Sequence, residues 1–537
     1  MTHDPRGRAN EDDDGSDWIR RGRGGYQPGS YAAPSAFEQS PSGSSFAALR
    51  NEPVIAPLPE TLLRHNARVL DPITAYQLPG QAPVSPTVYI ADRLIVDGDA
   101  TETVRQALTE AAAAQGLEVR SDVHDTQETD RIAEVARSVG VSRSLPSRIR
   151  LVPVGRAARP GPDAWSLLQT LRSELADNGY AGGHVTLDHL LTAASLPGYG
   201  GSAWAGHGVP SYRYALPGSN GRQPVSSPGF APARRSDAML RGRRPVVAIV
   251  DSPVGHHPWL GAGVDRRPRV LGLSVSDPEP DGLEGPESEM AAHGTFTAGV
   301  VRQYCPDADI LAVGAWGHDG VVSESRLLDI LWKLVIRQEV AFRSADPDGI
   351  IDVLTISAGF YHEEPLAGGV SGSGLVAVLD ALGRLGVAVV APAGNDATYR
   401  PMYPAACTPW EGGLVPAFDH VAVPLIGVGA SNPNGEIASF SNAGPWVRSH
   451  RPGALVLSTL PTSMPTGHHP ERRADADVMD FSGGFGLWGG TSFAAAALAG
   501  QLAAVIATDE HQSLDVPAAV ARGWTAVAAC VEDVRRP

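Results

Sequence analysis

Cysteine is scarce: three in 537 residues, Cys305, Cys407 and Cys530, widely spaced and odd in number. That excludes a disulfide framework and any zinc-ligand spacing, and leaves the thiols as small buried apolar groups. Long apolar runs are missing as well. None approaches roughly 18 residues, so no membrane span is expected. Residues 1–25 are polar and charged without an apolar h-region, which speaks against a Sec-type signal peptide. A reducing cytoplasm is then the expected compartment, with export by a route lacking a cleaved signal left open. Positive charge is in deficit, 43 Lys and Arg against 59 Asp and Glu. The resulting net charge of -16 argues against a nucleic-acid partner, because phosphate binding needs concentrated cations. Gly (60) and Pro (45), by contrast, are plentiful and predict many loops.

The length allows two to four domains. Residues 1–50 hold few large apolar groups and much Gly, Ser, Pro and charge, so they bury too little to offset their ordering entropy and are expected to be disordered. Within them Asp12-Asp13-Asp14-Gly15 lacks the alternating ligands and distal Glu of a calcium loop and reads as a solvated acidic run. Residues 51–195 read as a small α+β domain built from two strand–helix–strand units. The first has strands at Val88–Ile90 and Leu94–Val96, a helix at Thr101–Gln115 closed by Gly116, and a strand at Leu117–Val119. The second has strands at Ile149–Val154 and His184–Leu187 around a helix at Asp163–Ala176. Residues 196–244 form a Gly-, Pro- and Arg-rich linker; its basic stretch, Arg234-Arg235 to Arg243-Arg244, is either solvated linker or a processing site.

From residue 245 to 537 short apolar strands alternate with helices. Val246–Val250, Ile310–Val313 and Val387–Val390 are apolar throughout, Asp352–Ile356 is apolar apart from Asp352 and Thr355, and the helical patterns Ser325–Gln338 and Ser373–Leu385 lie between them. Strands without a polar face, separated by helices, imply a parallel sheet covered on both sides, an α/β domain. Functional residues in such folds gather at the carboxyl ends of the strands. Asp251 stands at one such end and Asn395, in Ala393-Gly394-Asn395, just after another. Taken singly, the first is an ordinary turn former and the second a turn signal.

His293 opens His293-Gly294-Thr295, followed by the small Ala298 and Gly299, which suit a helix packed tightly on its neighbours. Gly489-Gly490-Thr491-Ser492-Phe493-Ala494 runs into an Ala-rich helix pattern. A Ser there exposes its hydroxyl at a helix N-terminus, with backbone N–H groups beside it to stabilise a developing oxyanion. Alone it is also a plausible N-cap. An Asp orienting a His that activates a Ser is the chemistry of nucleophilic acyl transfer, and the chain order Asp, His, Ser is that of subtilisin-type triads.

With these four segments in this order, the chain resembles the subtilase family of serine peptidases over roughly residues 245–508. Val353 to Gly359, Ile426 to Gly444, Pro452-Gly453 and Leu457 to Leu460 extend the resemblance. His293 and Asn395 stand where the related sedolisins use Glu and Asp. The resemblance implies a subtilisin-like three-layer fold with a mostly parallel sheet, and a serine endopeptidase acting on a protein or peptide substrate. Ser492 is then the nucleophile, His293 the general base and then acid, Asp251 its orienter, and Asn395 an oxyanion donor. Ser357, Ala358 and Gly359 would pair with an extended substrate, with Ala393 and Gly394 across the pocket. No cofactor is implied, and the short loop between His293 and Ile310 leaves no room for the calcium-binding insertion of many secreted relatives. The α+β domain is either propeptide-like, an intramolecular partner, or a recognition module. Three departures from the family pattern, Pro253, Phe296 and Ala496, motivate a rival expectation of a catalytically poor, protein-binding relative.

Overall fold

A computed structural model describes residues 59–78, 84–193, 223–276, 292–364, 374–463 and 481–534, apart from short gaps within these spans. The expected disordered segment 1–50, with its acidic run, lies outside the described residues, as does 194–222.

The upstream domain contains β1 (Ala67–Leu70), β2 (Thr87–Val96), β3 (Leu117–Ser121), β4 (Ser147–Pro153) and β5 (Val185–Ala193), with helices Glu102–Ala114, Val123–Ser138 and Ala164–Asp177. The two expected β segments before the first helix are one continuous strand, β2. The helix Val123–Ser138 was not legible, because its first two turns are almost wholly polar. One sheet face carries this domain's own core: Leu94, Leu108, Leu151, Trp165, Leu168 and Leu187 are nearly free of solvent.

Downstream, β6 (Gln223–Pro224) precedes β7 (Val246–Asp251), β8 (Val264–Asp265), a small hairpin of β9 (Arg269–Val270) and β10 (Leu273–Ser274), and β11 (Asp309–Gly314). There follow β12 (Val321–Ser323), β13 (Val353–Ile356), β14 (Ala358–Tyr361), β15 (Ala388–Pro392), β16 (Met402–Tyr403), β17 (Ile426–Ser431), β18 (Val447–Pro452), β19 (Val456–Thr459) and β20 (Phe485–Trp488). Seven of these form a wholly parallel sheet in the order β18-β17-β15-β13-β7-β11-β8. Its strands bury alternate residues on opposite faces. In β7, Val246, Ala248 and Val250 join the core beneath helices Glu324–Ser344 and Gly374–Arg384. Val247 and Ile249 join the core on the other face, beneath helices His293–Tyr304, Thr491–Ile506 and Val516–Cys530. That is the apolar patterning expected of a doubly covered parallel sheet.

The two domains share a second sheet. Beyond β2-β4-β3, strand β5 pairs antiparallel with β14 on one register and with β12 on another, and β14 continues to β16. Ile95 and Leu191 of the upstream domain enter the core around helix Glu324–Ser344. A small three-stranded sheet, β19-β20-β6, completes the architecture. No helix among the described residues is long and apolar enough to cross a membrane.

The basic stretch is not a solvated linker. Arg235 Nε donates to Asp307 at 2.8 Å, Arg234 pairs with Asp309, and Arg243 grips buried Asp352, whose Oδ2 also accepts from Val246 N at 2.9 Å. These guanidinium groups hold the entry to β7 in place. Arg243→Ala leaves the Asp352 carboxylate buried without its counterion, at a cost of about 3 kcal/mol. The thermal unfolding midpoint is expected to fall accordingly, whereas an unchanged midpoint would mean that the pair is dispensable.

Candidate active site

Strand β7 delivers Asp251 to its carboxyl end, fully buried. One carboxylate oxygen accepts from Ser252 N at 2.6 Å and the other from the Thr297 hydroxyl at 2.9 Å. His293 is the first residue of its helix, entered through Ala292 in the left-handed region (φ 72°). Gly294 has a packing reason: a Cβ there would strike the carbonyl oxygen of Ser252. Gly294 N donates instead to the Ser252 hydroxyl at 2.8 Å. On the far side of the helix, Ser458 and Thr459 of β19 donate to the carbonyls of Phe296 and Thr295, each at 2.8 Å.

So placed, His293 Nδ1 lies 2.6 Å from Asp251 Oδ1 and Nε2 lies 2.9 Å from Ser492 Oγ. An ionised carboxylate can only accept, so Nδ1 carries the proton and Nε2 accepts from the serine hydroxyl. The imidazole packs against Trp488 (ring centroids 5.4 Å apart, edge-on) and Phe493 (5.0 Å). Asp251, His293 and Ser492 are all at 0% exposure, so the hydrogen-bonded chain is closed to solvent.

Ser492 sits in the first turn of helix Thr491–Ile506, where backbone N–H groups lack intrahelical acceptors. Asn395 follows β15. Its Oδ1 accepts from both the backbone N and the hydroxyl of Thr491, at 2.9 Å each, which fixes the amide. Its Nδ2 is buried and has no hydrogen-bond partner among the described residues. A buried donor without an acceptor calls for a reason, and here it stands beside the serine helix.

Ser357 begins the next wall, its backbone N donating to Val250 O at 3.1 Å, and Ala358 and Gly359 open β14. Across the recess, Ala393 O accepts from Asn442 Nδ2 at 2.9 Å and Gly394 N donates to Thr491 Oγ1 at 3.2 Å. The Ala358–Gly359 edge is occupied: Ala193 of β5 lies opposite Ala358 and Thr192 opposite Gly359, and Ala193 N donates to Gly320 O at 2.8 Å. At β20, Leu487 and Gly486 pair with Gln223 and Pro224 of β6. The chain joining β5 to β6 lies outside the described residues.

The three departures are accommodated. Pro253 contributes no N–H, but Asp251 already has the Ser252 amide and the Thr297 hydroxyl. Phe296 is buried against Phe493 (4.4 Å) and Trp488 (5.6 Å), supporting the wall behind His293. Ala496 is an interior residue of the serine helix.

Sequence reasoning did not single out Thr297 or Thr491. Thr297 was recoverable, since it lies one helical turn after His293 on the same face. The charged junction between the domains was not. Buried His189 of β5 has Nδ1 2.6 Å from Glu324 Oε2 and Nε2 2.8 Å from Glu363 Oε2, and its ring stacks on Phe360 of β14 at 4.4 Å. Burial opposes the charge on His189, but the carboxylates of Glu363 and Glu324 outweigh it and its pKa is pushed up to about 9. Burial raises Glu324, whereas His362, His189 and Arg172 hold Glu363 below the usual carboxylate range against its own burial. Burial lowers neighbouring His362 to about 3. Ligand-capable atoms of His189, His362 and Glu363, and of Asp97, Asp99 and His184, lie close enough together to hold an ion. Both groups belong to or adjoin the domain junction, away from Ser492.

A parallel sheet with helices on both faces, and an Asp–His–Ser hydrogen-bonded chain at its strand ends, define a hydrolase-like α/β architecture. The subtilase family model matches residues 242–526, and the chain belongs to that family of serine peptidases, with its subtilisin-like three-layer fold. No curated protein matches the chain. Among solved structures, a lanthipeptide protease is similar at 21% identity and a TM-score of 0.37, over 50% of this chain and 75% of that one. Fervidolysin from Fervidobacterium pennivorans, a keratinolytic enzyme related to subtilisin, is similar at 16% identity and a TM-score of 0.43. That similarity covers 78% of this chain and 55% of fervidolysin.

Proposed function

We propose that the protein is a serine endopeptidase that hydrolyses peptide bonds through an acyl-enzyme formed on Ser492. The observation that carries this reading is the unbroken contact from Asp251 through His293 to Ser492, at 2.6 and 2.9 Å, with Asn395 Nδ2, unpartnered among the described residues, alongside. Ser492 Oγ attacks the scissile carbonyl carbon while His293 Nε2 takes the hydroxyl proton, and Asp251 stabilises the resulting imidazolium. The carbonyl oxygen gains negative charge and accepts from Asn395 Nδ2 and the Ser492 backbone N–H. Collapse of this tetrahedral species breaks the C–N bond, and His293 passes its proton to the leaving amine. A water molecule, deprotonated by the same imidazole, then cleaves the acyl ester and regenerates Ser492.

The reading is tested by labelling with a serine-directed phosphonate. Modification of wild type at Ser492 and none of Ser492→Ala is the expected outcome. A well-folded wild type that never labels, even after the upstream domain has been cut away, would instead make the chain a protein-binding relative. Asn395→Leu is expected to lower kcat by about 10²- to 10³-fold with a smaller change in KM, because the donor acts on charge that exists only in the transition state. Steady-state kinetics on a peptide substrate check this, and an equal loss in the ground state would contradict it.

For the upstream domain we favour the propeptide-like role over recruitment. Strand β5 takes the edge of β14 at Ala358 and Gly359 that an extended substrate would need, and the site beneath is closed to solvent. Activity then requires removal or displacement of β5. Mass spectrometry of active material is expected to find the domain cut away; a fully active intact chain would favour the recognition role.

A further inference from the structure

The recess that would receive a substrate side chain already contains one of the protein's own. Two bare walls face each other beside Asn395: the backbone at Gly359 in β14 and the turn at Gly394, which adopts a positive φ of 105°. The space their missing side chains leave is filled by the thioether of Met402. A Cβ on Gly359 would lie 2.7 Å from Met402 Cε and 3.1 Å from Met402 Cγ. A Cβ on Gly394 would run into Met402 Sδ and Asn442 Nδ2. One methionine therefore spans the recess from wall to wall.

Its place is well fixed. Met402 is 3% exposed, lies opposite Tyr361 in the β14–β16 pair, and is followed by Tyr403 opposite Phe360. Tyr361 is itself held, its hydroxyl donating to Asp396 at 2.6 Å and accepting from Asn442 Nδ2 at 2.8 Å, with the Arg400 guanidinium 4.4 Å above its ring. A methionine is adaptable in an open gap, but here any displaced position must be found inside packed surroundings.

An extended peptide whose carbonyl carbon is in reach of Ser492, with its oxygen toward Asn395 Nδ2, pairs with Ser357–Gly359 and turns the side chain of the attacked residue into this recess. We propose that Met402 determines substrate choice by closing that recess, so that the enzyme cleaves after glycine, alanine or serine and rejects large aliphatic and aromatic residues. This rests on the endopeptidase reading above. The chain's own segment agrees with it: β5, which lies along β14, ends at Ala193 and continues in sequence into Ala194-Ser195.

The test uses the purified full chain, incubated until its peptidase activity is constant. It is assayed with coumarylamide peptides that differ only in their last residue (Gly, Ala, Ser, Leu or Phe). The alanine peptide is expected to exceed the leucine and phenylalanine peptides in kcat/KM by about 100-fold or more, since a single methylene already discriminates by about 10- to 200-fold. Met402→Ala is expected to move the Phe-to-Ala ratio of kcat/KM upward by at least about tenfold. Wild type that cleaves after Leu or Phe as well as after Ala, or a ratio unmoved by the substitution, overturns the proposal while leaving the peptidase reading intact. Should Met402→Ala fail to fold, the wild-type series decides, together with the labelling rates of alanyl and phenylalanyl phosphonates. If wild type reacts with no peptide and no phosphonate, the peptidase reading falls and this preference falls with it.

Discussion

Ser492→Ala and His293→Ala are each expected to lower kcat by about 10⁶-fold, with the double variant losing no more than either single one, the magnitude being that of the subtilisin triad. The reason for non-additivity lies in the geometry. With Nε2 2.9 Å from Oγ and Nδ1 2.6 Å from Asp251, the imidazole first takes the serine proton, and the serine hydroxyl has little nucleophilicity without it. Removing either group removes the same step. What remains is the stabilisation supplied by Asn395 and by substrate binding, about 10³- to 10⁴-fold over water. Single-turnover kinetics on the two single variants and the double variant measure this directly. Losses that multiply in the double variant would show the two residues acting separately, contrary to a shared proton transfer.

The second large effect is expected at the domain junction. His189→Ala removes an imidazolium enclosed by Glu324 and Glu363, both almost wholly buried, and leaves two carboxylates facing the gap. Of the remaining charges, Arg172 reaches Glu363 at 3.3 Å and Glu364 at 2.9 Å, while Asp188 is occupied by the N and Oγ of Ser325 and offers only more negative charge. Stranding buried charge in this way costs about 3–5 kcal/mol. The attachment of β5 to helix Glu324–Ser344 and to β14 is expected to weaken, with a lower unfolding midpoint and faster proteolysis within the upstream domain.

The same residue sets a pH dependence of definite sign. With a folded pKa of about 9 against an ordinary 6.5, His189 holds its proton more tightly in the folded protein. Its stabilisation is therefore complete below about 6.5 and is lost as pH rises through about 9. Unfolding midpoints of wild type measured between pH 6 and pH 10 are expected to show the decline, and those of His189→Ala to lack that component. A wild-type midpoint flat across the window would exclude a charged His189.

Much of the downstream domain was legible because its signals are local. The apolar run ending at Asp251 could only be a strand covered on both faces, and its terminal carboxylate then had to emerge at the strand's carboxyl end. Ser492 at a helix start and Asn395 after a strand followed in the same way. The upstream domain was read less well. Its polar helix Val123–Ser138 carries little periodic apolar signal, and the reach of β5 to Ala193 exceeded the expected strand by several residues. The basic stretch at Arg234–Arg244 was misjudged because its counterions, Asp307, Asp309 and Asp352, lie more than 60 residues away.

The order of elements, the parallel sheet and the residue types at its strand ends were determined by the chain itself, since periodicity of two or 3.6 acts between near neighbours. Only the tertiary structure decided that β5 occupies the edge of β14, that His189 lies between Glu324 and Glu363, and that Met402 fills the space between Gly359 and Gly394. Each of these joins distant segments through shape and charge complementarity, and no local pattern along a chain encodes which distant surface will meet it.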